Sequence, residues 1–297
     1  MPEQNDIITA IYQHFIAKLD NGVIPLRLKP KAVASSQESP FDTWVRESIA
    51  EVLPHYEIVP TGLLVTPDVI IHDPQTGLFL GIEIKTLIQM PNGSDPRGLT
   101  IDFNSSVPCG SVMLNVGEET REIPCFCFFA LLSPDGTSIV TSVLMDGDCL
   151  NYQFELYKHV KYANVSTYGH GPYGEGSVRG RNMYTYPNPL NTKLAFFRFR
   201  HTLVVKKQDF ERTDVADQAT QLLIREDTGK QQFHYLIIDG TTEPHSDLNF
   251  DALPVLTDIF YECKIREPKD RSPAIPRFGA KPRPKKRQGG SQQGNLF

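Results

Sequence analysis

Within eighteen residues the chain sets out three side chains that could share one piece of chemistry. Asp68 follows Pro67 at the start of an apolar run, and fourteen residues separate it from Glu83. One apolar residue, Ile84, then precedes Lys85. Two carboxylates within reach of each other suit Mg²⁺, a hard cation that takes oxygen ligands, keeps several waters and binds through one or two carboxylates. The Ile84 backbone carbonyl could add another oxygen. The Lys85 ammonium could orient or help deprotonate an attacking water, and stabilise charge developing on phosphorus. Such a site would hydrolyse a phosphodiester, with the metal lowering the pKa of the water and polarising the phosphoryl oxygen.

These residues need a hairpin to bring them together. Pro67–His72 reads as a strand, Asp73–Gly77 as a turn whose proline presets φ and whose glycine accepts a positive one, and Leu78–Lys85 as a second strand. Side chains two apart on a strand share a face, so Glu83 and Lys85 project together while Ile84 points into the core. The fold back at the turn carries Asp68 toward that pair. Ahead of the hairpin, Ser39-Pro40 reads as an N-cap and first-turn proline, with Asp42 close behind. The helix it opens runs to about Leu53 and presents Phe41, Trp44, Val45, Ile49 and Val52 as its apolar face. Ile7, Ile11, Phe15 and Leu19 predict an earlier helix over 7–19, and His55–Gly62 reads as a connection. Later strands are expected at Phe126–Leu132, Ile139–Met145, Leu194–Val205 and His234–Ile238, and a helix at Leu150–Tyr162. The class expected is α/β.

Pro67-Asp68 followed by Glu83-Ile84-Lys85 resembles the PD-(D/E)xK nuclease superfamily, the fold of most type II restriction endonucleases. In that family the motif sits on adjacent strands of a mixed sheet after an amino-terminal helix, the order read here over residues 39–150. The resemblance implies a restriction-endonuclease-like mixed sheet flanked by helices, with loop insertions. It also implies Mg²⁺-dependent cleavage of double-stranded DNA, leaving 5′-phosphate and 3′-hydroxyl ends. Asp68 and Glu83 would hold the metal and Lys85 would assist the water. The helix often supplies a further acidic residue; Glu47 is the first candidate and Glu51 the second. A C2 homodimer or a higher homo-oligomer in the cytoplasm of a prokaryotic cell is the setting the resemblance implies, since one site cuts one strand. A repair or mobile-element nuclease of the same fold, or a DNA-binding protein that does not cut, are the alternatives.

Two segments could read DNA. After the motif, Leu99–Ser111 offers Ser105, Ser106, Ser111 and backbone N–H groups to phosphate. Residues 166–191 form a long Gly/Tyr/Asn/Pro segment, of a length that is usually functional or disordered. Its Arg179, Arg181 and Asn182 are the side chains suited to base edges, Arg to guanine and Asn to adenine. The formal Gly169-x-Gly171-x-x-Gly174 match is no dinucleotide fingerprint, because no strand precedes it and Pro172 interrupts it.

Charge is divided unevenly along the 297 residues. The total is -5, from 30 Lys/Arg and 35 Asp/Glu. Residues 264–297 hold ten Lys/Arg and two Asp/Glu, a net of +8, which leaves -13 for residues 1–263. A domain over 1–265 is therefore expected to end in a flexible basic tail over 266–297. Lys281, Arg283, Lys285, Lys286 and Arg287 could hold DNA through counterion release. At the terminus Gln293, Leu296 and Phe297 resemble the Q-x-x-L-F pattern by which bacterial replication and repair proteins engage the sliding clamp, with Gly294 departing from it. No apolar run approaches the length of a membrane span, and no secretory signal opens the chain. Five cysteines without metal-ligand spacing point to reduced thiols in an intracellular protein.

Overall fold

Alternating strands and two amphipathic helices build the amino-terminal part of the molecule. The computed structural model describes residues 4–29, 39–61, 66–93, 100–103, 110–147, 184–187, 189–190, 200–210, 221–227, 230–238 and 277–279. Helix α1 (Gln4–Ile16) turns Ile7, Ile8, Ile11, Tyr12 and Phe15 inward. It stops short of the predicted Leu19, because the chain reverses through Asn21 and Gly22, both at positive φ, so that Asp20 pairs with Val23. Helix α2 (Pro40–Val52) begins as predicted, with a reciprocal capping box. The Ser39 hydroxyl accepts from the Asp42 N–H at 3.0 Å, and the Asp42 carboxylate accepts from the Ser39 N–H at 3.3 Å. Two donors that the helix itself cannot satisfy are thereby used.

Among the described residues one ten-stranded mixed sheet forms the body. Its strands are β1 (Ile24–Pro25), β2 (Glu57–Pro60), β3 (Val69–His72), β4 (Phe79–Ile88), β6 (Ser111–Val116), β7 (Glu119–Leu132), β8 (Ser138–Asp146), β10 (His201–Lys206), β11 (Gln221–Asp227) and β12 (Lys230–Ile238). The order is β11-β12-β10-β8-β7-β4-β3-β2, with β1 added to β8 and β6 to the first part of β7. Strands β2, β3 and β4 form an antiparallel meander; β4 then runs parallel to β7, and β10 parallel to β8. Two further strands, β5 (Thr100–Phe103) and β9 (Tyr184–Pro187), pair with each other outside that sheet. The class is α/β, as the sequence predicts.

The sheet has two faces of different character. Leu80, Ile82, Ile84, Phe126, Phe128 and Ala130 bury one face under α1 and α2. Phe15 and Phe41 both stack on Phe128, at 5.0 and 6.4 Å, and Trp44 stacks on both of them. Each such fully buried aromatic contributes roughly 1.5–3 kcal/mol. Because Ile84 is the register partner of Phe128, these contacts seat the first turn of α2 over the middle of β4. Alternation sends Glu83 and Lys85 to the opposite face, beside Cys127 and Phe129 of β7.

The predicted strand at 194–205 is seen as His201–Lys206; residues 191–199 and the predicted helix at Leu150–Tyr162 lie outside the described residues. Strand β7 is longer than predicted, because its polar start, Glu119–Glu122, hairpins with β6. Strand β2, read from sequence as a connection, ends in Pro60 and lies at the sheet edge, where a missing N–H is tolerated.

Candidate active site

The ladder between β3 and β4 starts at Val69, opposite Ile82, two residues later than the predicted strand. Pro67 has no N–H to give to a ladder. Asp68 spends its backbone on the other side, where its carbonyl accepts from the Thr61 N–H at 3.0 Å. Its side chain then stands in for the missing main-chain acceptor: Oδ2 accepts from the Ile84 N–H at 2.7 Å. This bond ties Asp68 to the residue between Glu83 and Lys85. The N–H and C=O of one strand residue point to the same edge, so the Ile84 carbonyl also faces the end of β3.

Gly81 makes that end of the hairpin possible. A Cβ at this position would lie 2.8 Å from Pro67 Cγ and 3.4 Å from Cys125 Sγ. The Pro67 ring therefore rests directly on the β4 backbone and sets the level of Asp68. The Thr66–Pro67 peptide bond is cis.

Glu83 is almost wholly buried, at 4% exposure, and its two oxygens differ. Oε1 accepts from Lys85 Nζ at 2.5 Å. Among the described residues Oε2 is buried and has no hydrogen-bond partner. Burial first, and then the neighbouring Glu83 charge, push the Asp68 carboxyl well above the usual range; Lys85 and the Ile84 N–H oppose this, and Asp42 adds to it. For Lys85, burial favours the neutral amine, but the charges of Glu83 and Asp68 outweigh it and hold the ammonium above the ordinary lysine range. Two crowded carboxylates, one with an orphaned buried oxygen, form a site short of positive charge.

Mg²⁺ fits this donor set. Asp68 Oδ2 and Glu83 Oε1 are committed within the protein, and among the described residues no hydrogen bond reaches Glu83 Oε2 or is seen at Asp68 Oδ1. With the Ile84 carbonyl these make three oxygen donors, enough for an ion that retains several waters. Among the described residues there is no group of three His, Cys, Asp or Glu side chains arranged around a metal.

The structure brings together Asp68, Glu83 and Lys85 but leads the helix candidates elsewhere. Glu47 pairs with Lys29 at 2.8 Å on the surface. Glu51 is exposed and pairs with Lys18 at 2.8 Å and His14 at 3.2 Å. Neither joins the carboxylate pair. The α2 carboxylate whose charge reaches Asp68 is Asp42, which the sequence shows only as a helix cap.

Of the predicted DNA contacts, Ser111 lies on β6 opposite Pro124, with its hydroxyl donating to Glu122. Ser105, Ser106, Arg179, Arg181 and Asn182 lie outside the described residues, as do Lys281, Arg283, Lys285, Lys286, Arg287, Gln293, Leu296 and Phe297. The β5–β9 ladder nevertheless joins the two predicted reading segments, with Phe103 opposite Tyr184 and Ile101 opposite Tyr186. Arg277–Gly279, within the stretch expected to be a flexible tail, lies against the sheet. No helix among the described residues is long and apolar enough to cross a membrane.

No protein-family model matches the chain, and no curated protein matches it at a significant level.

Proposed function

We propose that the protein is a Mg²⁺-dependent, site-specific endonuclease of double-stranded DNA, on a PD-(D/E)xK type of fold. The observation that carries this is the buried Glu83 Oε2 without a partner, beside Asp68 and Lys85 at the end of the β3–β4 hairpin. An ordinary surface Glu–Lys pair would leave both oxygens in water and would contribute little. The parallel β4–β7 pair beside an antiparallel meander, behind a capped helix, supports the restriction-endonuclease-like topology.

In this reading the carboxylates of Asp68 and Glu83 would hold the ion, and the Ile84 carbonyl would be a third oxygen donor. Bound there, Mg²⁺ would lower the pKa of a coordinated water and polarise the phosphoryl oxygen. Lys85, charged and oriented by Glu83, donates to the water or to the phosphoryl oxygens and offsets the charge that grows on them. Asp68 is itself oriented by the Ile84 N–H and by the Pro67 ring on Gly81. The β5–β9 ribbon supports the assignment of base reading to the segments it joins, because a two-stranded ribbon is narrow enough for the major groove. One carboxylate pair cuts one strand, so two copies about a two-fold axis are the simplest route to a double-strand break.

Plasmid digestion tests the reading. Native protein with Mg²⁺ should give discrete fragments, and Lys85→Ala should lower the rate by about 10²–10³-fold. A Lys85→Ala variant that cuts as well as native would remove this site from consideration. Sequencing the fragment ends separates restriction from repair: a fixed sequence at every end favours the former.

A further inference from the structure

Among the described residues three buried side-chain atoms have no hydrogen-bond partner: Glu83 Oε2, Arg200 Nη1 and Thr202 Oγ1. The first belongs to the carboxylate pair. The other two stand together at the start of β10, and the proposed cleavage chemistry uses neither. Arg200 is 9% exposed and Thr202 1%. The pairing with β8 already includes Arg200, whose carbonyl accepts from the Ser142 N–H at 3.0 Å. Alternation then puts Arg200 and Thr202 on one face, about 7 Å apart along the strand. His201 between them points the other way, to the face that Leu203 buries under the helices. Both of its ring nitrogens are engaged, with the Ser142 hydroxyl at 2.8 Å and the Gly22 carbonyl at 3.3 Å. The strand thus satisfies its buried polar side chain on the helix side and leaves two unsatisfied on the other.

Register identifies that other face. Thr202 pairs with Val143, Val143 with Phe129, and Phe129 with Lys85. Arg200 and Thr202 therefore share the face of the carboxylate pair, three strand spacings or about 14 Å from it. Two other cations of this face are already engaged: Lys85 bonds to Glu83, and Lys206, further along β10, lies 3.8 Å from Asp146. A buried guanidinium nitrogen and a buried hydroxyl can both donate, and each is costly without an acceptor. An arginine fork with a hydroxyl beside it presents donors from two directions, which suits the several oxygens of a phosphate. We propose that Arg200 and Thr202 form a binding site for a phosphate group, separate from the carboxylate pair. Their burial favours a terminal phosphate, free or at the end of a chain, over a phosphodiester that carries a sugar on both sides. The site does not depend on the nuclease reading.

Calorimetric titration and thermal melts of the full-length protein test it, in EDTA and at constant ionic strength, so that no divalent ion sits on the carboxylates. The probes are inorganic phosphate and a single-stranded oligonucleotide with either a 5′-phosphate or a 5′-hydroxyl. The proteins are native, Thr202→Val and Arg200→Gln. Native protein should bind a phosphate probe, and Thr202→Val should bind it about tenfold more weakly, one hydrogen bond to a charged group being lost. Arg200→Gln should lose binding altogether, and Thr202→Val decides the matter if Arg200→Gln fails to fold. Without any probe, Thr202→Val should melt no lower than native, because the change removes an unpartnered buried hydroxyl and keeps its shape. A clearly lower melt would give that hydroxyl a structural role and overturn the site. The source follows from which probe responds to Thr202→Val. Inorganic phosphate alone makes the ligand a free anion, the 5′-phosphorylated oligonucleotide over its 5′-hydroxyl form a chain end, and both oligonucleotides equally a backbone phosphate. Native protein that binds no probe would overturn the proposal. So would a phosphate-induced melting shift of equal size in all three proteins, which is the general effect of an excluded salt. Native protein that binds as expected but cuts nothing with Mg²⁺ would retain this site and remove the nuclease.

Discussion

Strand β3 has an aspartate at each end, and the two live in opposite conditions. At the turn, Asp73 accepts from the Thr76 hydroxyl at 2.7 Å and the Gln75 N–H at 2.8 Å, and these bonds hold its carboxyl below the ordinary range. Five residues earlier, Asp68 receives one N–H, loses water to burial and faces Glu83, which pushes its carboxyl up. The first carboxylate is satisfied where it stands and closes a turn. The second is held where a carboxylate is costly, which is characteristic of a group awaiting a cation or substrate.

Substituting both residues should break the symmetry of chemistry. Asp68→Asn should reduce plasmid cleavage by at least about 10³-fold, whereas Asp73→Asn should leave its rate within about twofold of native. Thermal melts make the same distinction without turnover. Mg²⁺ at ten times its Kd should stabilise native protein and Asp73→Asn by about 1.4 kcal/mol, and Asp68→Asn not at all. In EDTA, Asp68→Asn should melt no lower than native, since one of two crowded carboxylates is gone. A large loss of stability on that substitution would mean that Asp68 is structural after all.

Gly81→Ala sharpens the comparison at the active end alone. The added methyl meets the Pro67 ring, which cannot swing aside, at 2.8 Å. Overpacking of this kind costs about 1–3 kcal/mol. Displacing Asp68 by a fraction of an ångström should lower cleavage at saturating DNA by about tenfold or more, with DNA affinity in EDTA unchanged. A fall in affinity with cleavage intact would place the role of Gly81 elsewhere.

The smallest effect belongs to the turn. Asp73 has a folded pKa below its ordinary value of 3.8, so its contribution is full above that value and disappears as pH falls through the folded one. The gap in melting temperature between native and Asp73→Asn should therefore be constant near neutrality and close below about pH 4. A gap that persists in acid would assign the stabilisation to something other than ionised Asp73.

What could be read from the sequence was local. The period of two put Glu83 and Lys85 on one face, and Pro and Gly marked the turn that returns Asp68 to them. Ser39, Pro40 and Asp42 announced the start of α2 because capping is a matter of three consecutive residues. The missed features depend on distant contacts. Asp42 reaches Asp68 only because Phe41 stacks on Phe128, which is in register with Ile84. Gly81 looks like any strand glycine until Pro67 is laid upon it. Strand β2 has a proline that reads as a break, and the polar start of β7 hides half of a hairpin. Phe278 is one aromatic in a stretch rich in proline and cations, and nothing in its neighbours shows that it would find Phe79.

That last contact has a consequence for the order in which the molecule is made. Asp68 and Glu83 are separated by fourteen residues, so their hairpin closes over a short loop as soon as β4 has left the ribosome. Phe278 follows Glu83 by 195 residues, which takes about 10–40 s of translation. During that interval the hairpin exists without the Phe278 ring on Phe79 and His72. A nascent chain therefore has its carboxylate pair in place well before Phe278, which packs on Phe79 of the same strand, has been synthesised.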